Sequence, residues 1–472
     1  MNTNLDELIR ELWIGETLSG LKKFISVPAI SRNFDPEWKR TGKLLEALNT
    51  GKCWAESLFP QGTFRILEDQ EKTPILLADI PATTSSPIDP IMFYGHFDKQ
   101  PITASWSDGL SPWVPKEKNG RLYGRGAADD GYSFFAALTA VAALERCGVA
   151  HPRIIGVIET DEESGSRDLP SYLKKLHSTL PSLSLLTILD LSAIDKERIW
   201  LTKSLRGIVK FNLCAKVLST PVHSGTASKI VPDSFDVIRI LLDRIQDPMT
   251  GELKIKEFYP RISEEQKQRI REDLASYHSN TNSLPTSPTL TPRFSEPKDR
   301  YFEAAWSPSL SIIGSAGLPS PQQASAVVRP STTITISIRV PPTADIHSAV
   351  RKLKSALLDR PPFGAEVSIS DLFFEEGFIT PELPASLKHE CETACREIFG
   401  QPVGHCYEGG SIGILPLLKQ QYPGTPFVAT GVLGDQENAH GPDESLDLAY
   451  TVQLTQFLAR IFKAFPGDRH EV

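Results

Sequence analysis

Ile91-Met92-Phe93-Tyr94-Gly95-His96-Phe97-Asp98 is an apolar run that passes through a glycine onto an imidazole and a carboxylate. A short apolar segment bounded by polar residues predicts a strand buried on both faces of a sheet. Two more segments read the same way. Ile154-Ile155-Gly156-Val157-Ile158 runs into Glu159-Thr160-Asp161-Glu162-Glu163, and Leu185-Leu186-Thr187-Ile188-Leu189 runs into Asp190. Helical patterns separate them, over Tyr132 to Arg146 and Leu169 to Ser178. Strands alternating with helices predict an α/β fold, with a mostly parallel sheet flanked by helices. In such sheets ligands bind at the carboxyl ends of the strands. His96, Glu163 and Asp190, picked out by residue type, fall at the ends of strands picked out by apolar pattern.

Further along, the texture changes. From about Thr202, Gly207 to Val217 alternates apolar and polar residues, and Thr332 to Val340 does so more cleanly. This is the pattern of antiparallel strands with one wet face. His347 to Leu358 reads as an amphipathic helix and Ala365 to Ile369 as another strand. Ile262 to Tyr277 reads as a charged helix, followed by an irregular Ser/Thr/Pro-rich excursion from Thr281 to Pro297. The α/β pattern then returns, with helix over Leu383 to Phe399, strand over Pro426 to Thr430 and a closing helix over Ser445 to Phe465. A chain of 472 residues exceeds what one core usually holds. The expected division is a catalytic domain from 1–202 and 379–472, interrupted by an inserted α+β lid or dimerisation domain at 203–378 with an antiparallel sheet.

The totals exclude several classes of function. A net charge of -8 with no Lys/Arg run gives no footing for nucleic acid. The longest apolar run, Phe134 to Leu144, is shorter than the ~20 residues a membrane span needs, and suits a buried helix. The amino terminus lacks the basic start and apolar stretch of a secretory signal. The six cysteines at 53, 147, 214, 391, 395 and 406 are scattered, which predicts buried free thiols in a reducing cytoplasm. Gly124-Arg125-Gly126-Ala127-Ala128-Asp129 lacks the third glycine of a dinucleotide fingerprint and the Gly-Lys-Ser/Thr of a phosphate loop.

What the sequence does offer is metal ligands. Tyr94-Gly95-His96-Phe97-Asp98, Gly124 to Asp130, Glu159 to Ser166, Ile188-Leu189-Asp190 and Glu437-Asn438-Ala439-His440-Gly441 supply two imidazoles and three carboxylates, with Glu162 left over. That inventory suits two divalent cations and a base that activates water, hence hydrolysis. Asp98 is placed to accept a hydrogen bond from the second nitrogen of His96 and fix its tautomer. In the adjacent acidic pair, one carboxylate can take a metal while the other serves as base.

In this order and at this spacing, the five motifs resemble the co-catalytic dinuclear zinc peptidases and deacylases. That family includes cytosolic dipeptidases, carnosinases, aminoacylases, succinyl-diaminopimelate desuccinylase and glutamate carboxypeptidase. Phe24-Ile25-Ser26-Val27-Pro28-Ala29-Ile30-Ser31 also looks like the family's amino-terminal segment. The resemblance implies that Asp129 bridges two metals, His96 and Asp190 complete one site, and Glu163 and His440 complete the other. It implies a cis peptide after Asp129 and two Zn²⁺ per subunit, with Mn²⁺ or Co²⁺ also compatible with these ligands. A water bridging two cations ~3.5–4 Å apart has its pKa lowered toward ~7. Glu162 would take its proton as general base, and the hydroxide would attack an amide carbonyl.

His223, in Thr220-Pro221-Val222-His223-Ser224-Gly225, resembles a family histidine that reaches the other subunit's active site to stabilise the oxyanion, which implies a homodimer. Arg339 and the Gly410-Ser411 pair of Glu408-Gly409-Gly410-Ser411 resemble groups that bind a substrate carboxylate. The chain departs from the family in two places. It has Asp129-Asp130-Gly131 with no following lysine, and Tyr407 stands where dipeptidase-like members place arginine before Glu-Gly-Gly-Ser. Tyr407 can give a substrate one hydrogen bond but cannot clamp a carboxylate. Asp190 and the long inserted domain resemble the dipeptidase branch. The expected activity is hydrolysis of dipeptides or short peptides. An N-acyl-amino-acid deacylase is the alternative, and a non-catalytic binding protein of the same fold the remote one.

Overall fold

The computed structural model describes residues 4–463, except 70, 275–286, 288, 292 and 295. In chain order the principal strands are β1 Thr63–Leu67, β2 Ile75–Ile80, β3 Ile91–His96, β4 Ile154–Glu159, β5 Leu185–Ile188, β6 Trp200–Leu205, β7 Gly207–Lys216, β8 Ser309–Ala316, β9 Ser331–Val340, β10 Glu366–Glu375, β11 Phe378–Ile379, β12 Gly404–Glu408 and β13 Phe427–Ala429. Six form one sheet in the order β1-β2-β4-β3-β5-β13. The run β4, β3, β5, β13 is parallel, and β2 is antiparallel to both its neighbours. Every residue of β3, β4 and β5 is buried, which is why their sequences are apolar throughout rather than alternating.

The helix Tyr132–Arg146 is buried at every position from Tyr132 to Leu144. It has no polar face because the sheet covers one side and the helix Leu448–Phe462 another. Phe134 meets Phe97 edge-on at 5.4 Å between centroids. Each such ring removed from water contributes about 1.5–3 kcal/mol. The helix starts directly over β3. A Cβ on Gly95 would lie 2.3 Å from Ser133 Oγ and 2.7 Å from Asp130 Oδ2, so only glycine lets the helix sit there. That contact sets His96 beside the segment carrying Asp129.

A second sheet, wholly antiparallel, has the order β8-β9-β7-β10. The alternation of β9 has a direct cause. Ile334, Ile336 and Ile338 pack with Val209, Phe211 and Leu213 into a separate core, under the helices Ser234–Ile245 and Ile346–Leu358. Asp233 and Asp345 cap those helices by accepting the backbone N–H of Phe235 and Ser348.

The chain passes between the two sheets on neighbouring strands. β6 pairs antiparallel with β11 and parallel with β12, so the expected boundaries at 202/203 and 378/379 fall inside one three-stranded sheet. At the crossing, a Cβ on Gly207 would lie 2.3 Å from the Glu375 carbonyl, and one on Gly377 would lie 2.8 Å from the Leu205 carbonyl.

Three expectations need correction. Ser445–Asp447 is a short strand paired with Arg121–Tyr123, and the closing helix begins only at Leu448, where Asp447 accepts the Tyr450 N–H. The strand expected over Ala365 to Ile369 runs on to Glu375 across an irregularity at Ser370/Phe373. The charged helix begins at Glu264 rather than Ile262 and reaches Leu274, its expected end at Tyr277 lying outside the described residues, and an unforeseen helix, Pro297–Trp306, follows. Ile270, Leu274, Phe302 and Trp306 join the core of the larger unit rather than that of the second sheet. Most of the Thr281 to Pro297 excursion lies outside the described residues.

Candidate metal centre and cleft

Three strand ends and two loops converge on one point. His96 is the last residue of β3, Asp190 lies two residues past β5, and Glu162-Glu163 form the 3-10 turn after β4. Asp129 precedes the buried helix through a cis Asp129–Asp130 peptide bond. His440 comes in on a loop, with φ at +64°.

Asp129 is the common member. Its Oδ1 lies 3.1 Å from His96 Nε2 and its Oδ2 lies 2.8 Å from His440 Nε2. Asp190 Oδ2 is 3.7 Å from His96 Nε2, and Glu163 Oε2 is 3.3 Å from His440 Nε2. His96, Asp129 and Asp190 thus form one cluster and Asp129, Glu163 and His440 a second, with the ligand atoms of each within 4.8 Å of one another. Two clusters sharing one carboxylate, with nitrogen and oxygen donors and no thiolate, fit divalent metal.

The electrostatics point the same way. Burial pushes the Asp190 carboxyl well above its ordinary range, and Asp129 and Asp130 push it further. Burial likewise raises Glu163, and the Asp129 charge adds to it. Burial works to lower the His96 imidazole, but Asp129 and Asp98 outweigh it and raise it well above its ordinary range. His440, on the rim, is raised to about 11 because Asp129 and Glu163 outweigh its partial burial. So many acids crowded around two imidazoles make an environment that positive charge relieves.

A supporting shell fixes these groups. The Asp98 carboxylate accepts the backbone N–H of both Glu162 (3.2 Å) and Glu163 (3.1 Å). His96 Nδ1 lies 3.0 Å from the Asp98 carbonyl and 3.5 Å from its carboxylate, so the backbone oxygen is the closer tautomer-fixing acceptor expected from Asp98. Asp130, which burial raises to about 8, accepts the His96 N–H and the Ser133 hydroxyl.

Sequence reasoning missed several supports. Gln100 Nε2 donates to Glu163 Oε2 at 2.6 Å. Glu444 accepts the N–H groups of Gly126, Ala128 and Asp129 and pairs with buried Arg125 at 2.7 Å. Tyr132 donates to the Leu189 carbonyl, next to Asp190. Arg32 holds Asp161 at 2.8 Å, at the start of the Glu162 turn. None of these carries a spacing signal, because most act through backbone groups or across long sequence separations.

Glu162 itself faces a cleft of about 310 Å³ lined also by Asp129, Glu163, Asp190, Arg339, Ser411 and His440. It makes no hydrogen bond through its carboxylate to a described residue; its nearest charged partner is His96 Nε2, at 4.0 Å. Burial raises it well above the carboxylate range, His96 opposes this, and Glu163 adds to it. Arg339, from the end of β9, donates to Ser411 Oγ at 2.8 Å, and Gly410 lines the same wall.

Two expected residues are not brought to the cleft. Tyr407 donates to Asp273 at 2.6 Å and packs on Trp306. Neighbouring residues of a strand face opposite ways, so Glu408 faces the cleft and Tyr407 turns its back to it. The substrate-binding role expected of Tyr407 is withdrawn on that geometry. His223 is exposed, and its Nδ1 accepts the Gly225 N–H at 3.1 Å. It does not line the cleft of its own chain.

The sequence profile of peptidase family M20/M25/M40 matches residues 92–464. The cysteinylglycine-S-conjugate dipeptidase of Corynebacterium striatum is 26% identical over 368 residues, covering 76% of this chain and 77% of its own. The Beta-Ala-His dipeptidase of Homo sapiens is 24% identical over 402 residues, covering 82% of this chain and 77% of its own. Among solved structures, human carnosine dipeptidase 1 has the same fold, with a TM-score of 0.77 at 21% identity over 97% of this chain and 98% of that chain. Among the described residues, no helix is long and apolar enough to cross a membrane.

Proposed function

Because the chain belongs to peptidase family M20/M25/M40, and so is a metallopeptidase dependent on divalent metal, we propose that it is a zinc dipeptidase. The observation carrying this reading is a cleft whose lining holds both the shared metal cage and Arg339 with Ser411. Its volume of about 310 Å³ suits a ligand of two residues. Two Zn²⁺ would be held by His96, Asp129 and Asp190, and by Asp129, Glu163 and His440, with Mn²⁺ or Co²⁺ able to replace them. When bound, the metals supply Lewis acidity, making water acidic and a carbonyl electrophilic. Glu162 takes the proton from the attacking water and returns it to the leaving nitrogen. Arg339 and Ser411 orient the substrate through its carboxylate.

The dipeptidase names of the relatives support this choice over a deacylase. Purified protein reconstituted with Zn²⁺ should release amino acids from a panel of dipeptides and leave N-acyl amino acids largely intact. Turnover of the acyl substrates alone would replace this reading with the deacylase one.

A homodimer completes the proposal, with the His223 of the partner subunit donating to the oxyanion. The trans assignment comes from the likeness of Val222-His223-Ser224-Gly225 to the family's segment, and the exposure of His223 on a short strand outside the lining of its own cleft leaves it open to a partner. Mixing inactive His223→Ala subunits with inactive Glu162→Gln subunits should restore part of the activity. Mixed dimers that stay inactive would rule the trans role out. The burial expected of the thiols holds for Cys391, Cys395 and Cys406 but not for Cys53, which is exposed, or for Cys147 and Cys214, which are half-buried; a reducing cytoplasm is the compartment proposed.

A further inference from the structure

Arg206 stands at the junction of β6 and β7, where the chain leaves the larger unit. Its Nε donates to the Gly409 carbonyl at 2.9 Å. Its Nη1 donates to the Ser307 carbonyl at 3.1 Å and to Ser309 Oγ at 3.2 Å. Its own backbone N–H donates to the Glu408 carbonyl at 3.3 Å. One side chain therefore ties three segments together: β6, the Glu408-Gly409-Gly410-Ser411 loop and the start of β8. The fit is close, since a Cβ on Gly409 would lie 3.2 Å from Arg206 Nη2.

Arg339 lies opposite Ser309 in the β8–β9 register, and Ser309 accepts from Arg206, so the two guanidinium groups belong to one neighbourhood. Burial and then Arg339 depress the Arg206 pKa to about 10, and burial depresses that of Arg339. Neither has a carboxylate partner among the described residues. Arg206 spends its hydrogen bonds on neutral oxygens, and Arg339 spends one on Ser411. Tyr407, on the strand leading into the loop, is committed to Asp273 and supplies no charge. The carboxylates that line the cleft, Asp129, Glu162, Glu163, Asp190 and Glu408, form no ion pair with either arginine among the described residues, so the second half-buried cation raises the local potential at Arg339, the one that faces the cleft. An anion arriving there is the missing partner.

We propose that Arg206 is a positioning residue for the substrate's terminal carboxylate: it pins the Gly409 carbonyl from behind the cleft, fixes Ser411 against Arg339, and adds a second positive charge to that subsite. This rests on the dipeptidase reading. Arg206 does not line the cleft and is not assigned contact with the substrate.

The test compares a dipeptide with its C-terminal amide on zinc-loaded wild type, Arg206→Gln and Arg206→Lys, all checked for matching melting temperature and metal content. Arg206→Gln should raise KM for the free acid by about tenfold or more, as loss of charge-assisted hydrogen bonding predicts, while kcat stays within about threefold. KM for the amide should scarcely move. Arg206→Lys should fall between wild type and Arg206→Gln, and it carries the comparison if the Gln variant does not fold. An unchanged KM for the acid, or equal losses on acid and amide, would overturn the proposal and leave Arg206 a framework residue. If wild type cleaves neither compound, the dipeptidase reading fails on its own. Calorimetric titration with N-acetylalanine and N-acetylalaninamide then decides the subsite. Carboxylate-dependent binding weakened by Arg206→Gln upholds it; affinities indifferent to the carboxylate or to the substitution overturn it.

Discussion

Glu162→Gln is expected to lower turnover by about 10²–10⁴-fold while leaving metal content at the wild-type level, the loss typical of removing a general acid–base group. The two halves of that expectation come from different observations. The carboxylate faces the cleft and stays out of both metal clusters, so it is free to move a proton. Its backbone is clamped by Asp98, so the amide variant should hold the same position. Its raised pKa reflects burial and the surrounding acids, and two cations beside it would draw that pKa back toward the range a base needs near neutrality. Steady-state kinetics with parallel metal analysis measures both. A variant that loses metal together with activity would show that Glu162 is a ligand and that the base lies elsewhere.

Asp129→Ala should abolish activity and weaken both metal sites by at least about 10²-fold, more than the loss of a supporting residue behind a ligand. Each oxygen of this carboxylate faces a different imidazole, so its removal opens both clusters at once. His440→Ala should behave differently. It removes a ligand from the rim, and the His96, Asp129 and Asp190 cluster remains whole. Metal analysis after dialysis should find close to no zinc in the first variant and about one equivalent in the second. Two equivalents retained by a folded Asp129→Ala protein would contradict the bridging role.

Much of this was legible in the sequence because it follows from burial. β3, β4 and β5 are apolar throughout because both faces are covered, and their ends announce His96, Glu163 and Asp190. The alternation of β9 announces a sheet with one wet face. What stayed hidden has no period. Glu444 secures the Asp129 loop through three backbone N–H groups, and nothing in a sequence marks a carboxylate aimed at a backbone 315 residues away. The short strand Ser445–Asp447 reads as helix because its apolar content continues into a real one, and only pairing with Arg121–Tyr123 separates them. Tyr407 could be read only by its place before a glycine-rich loop. Its true partner, Asp273, comes from a helix whose packing the sequence assigned to the other unit.

The most direct test is zinc-edge anomalous diffraction from crystals of the reconstituted protein. Two peaks about 3.5–4 Å apart, one bonded to each oxygen of Asp129, are the predicted result. A single peak, or a second one out of reach of that carboxylate, would contradict the account at its centre.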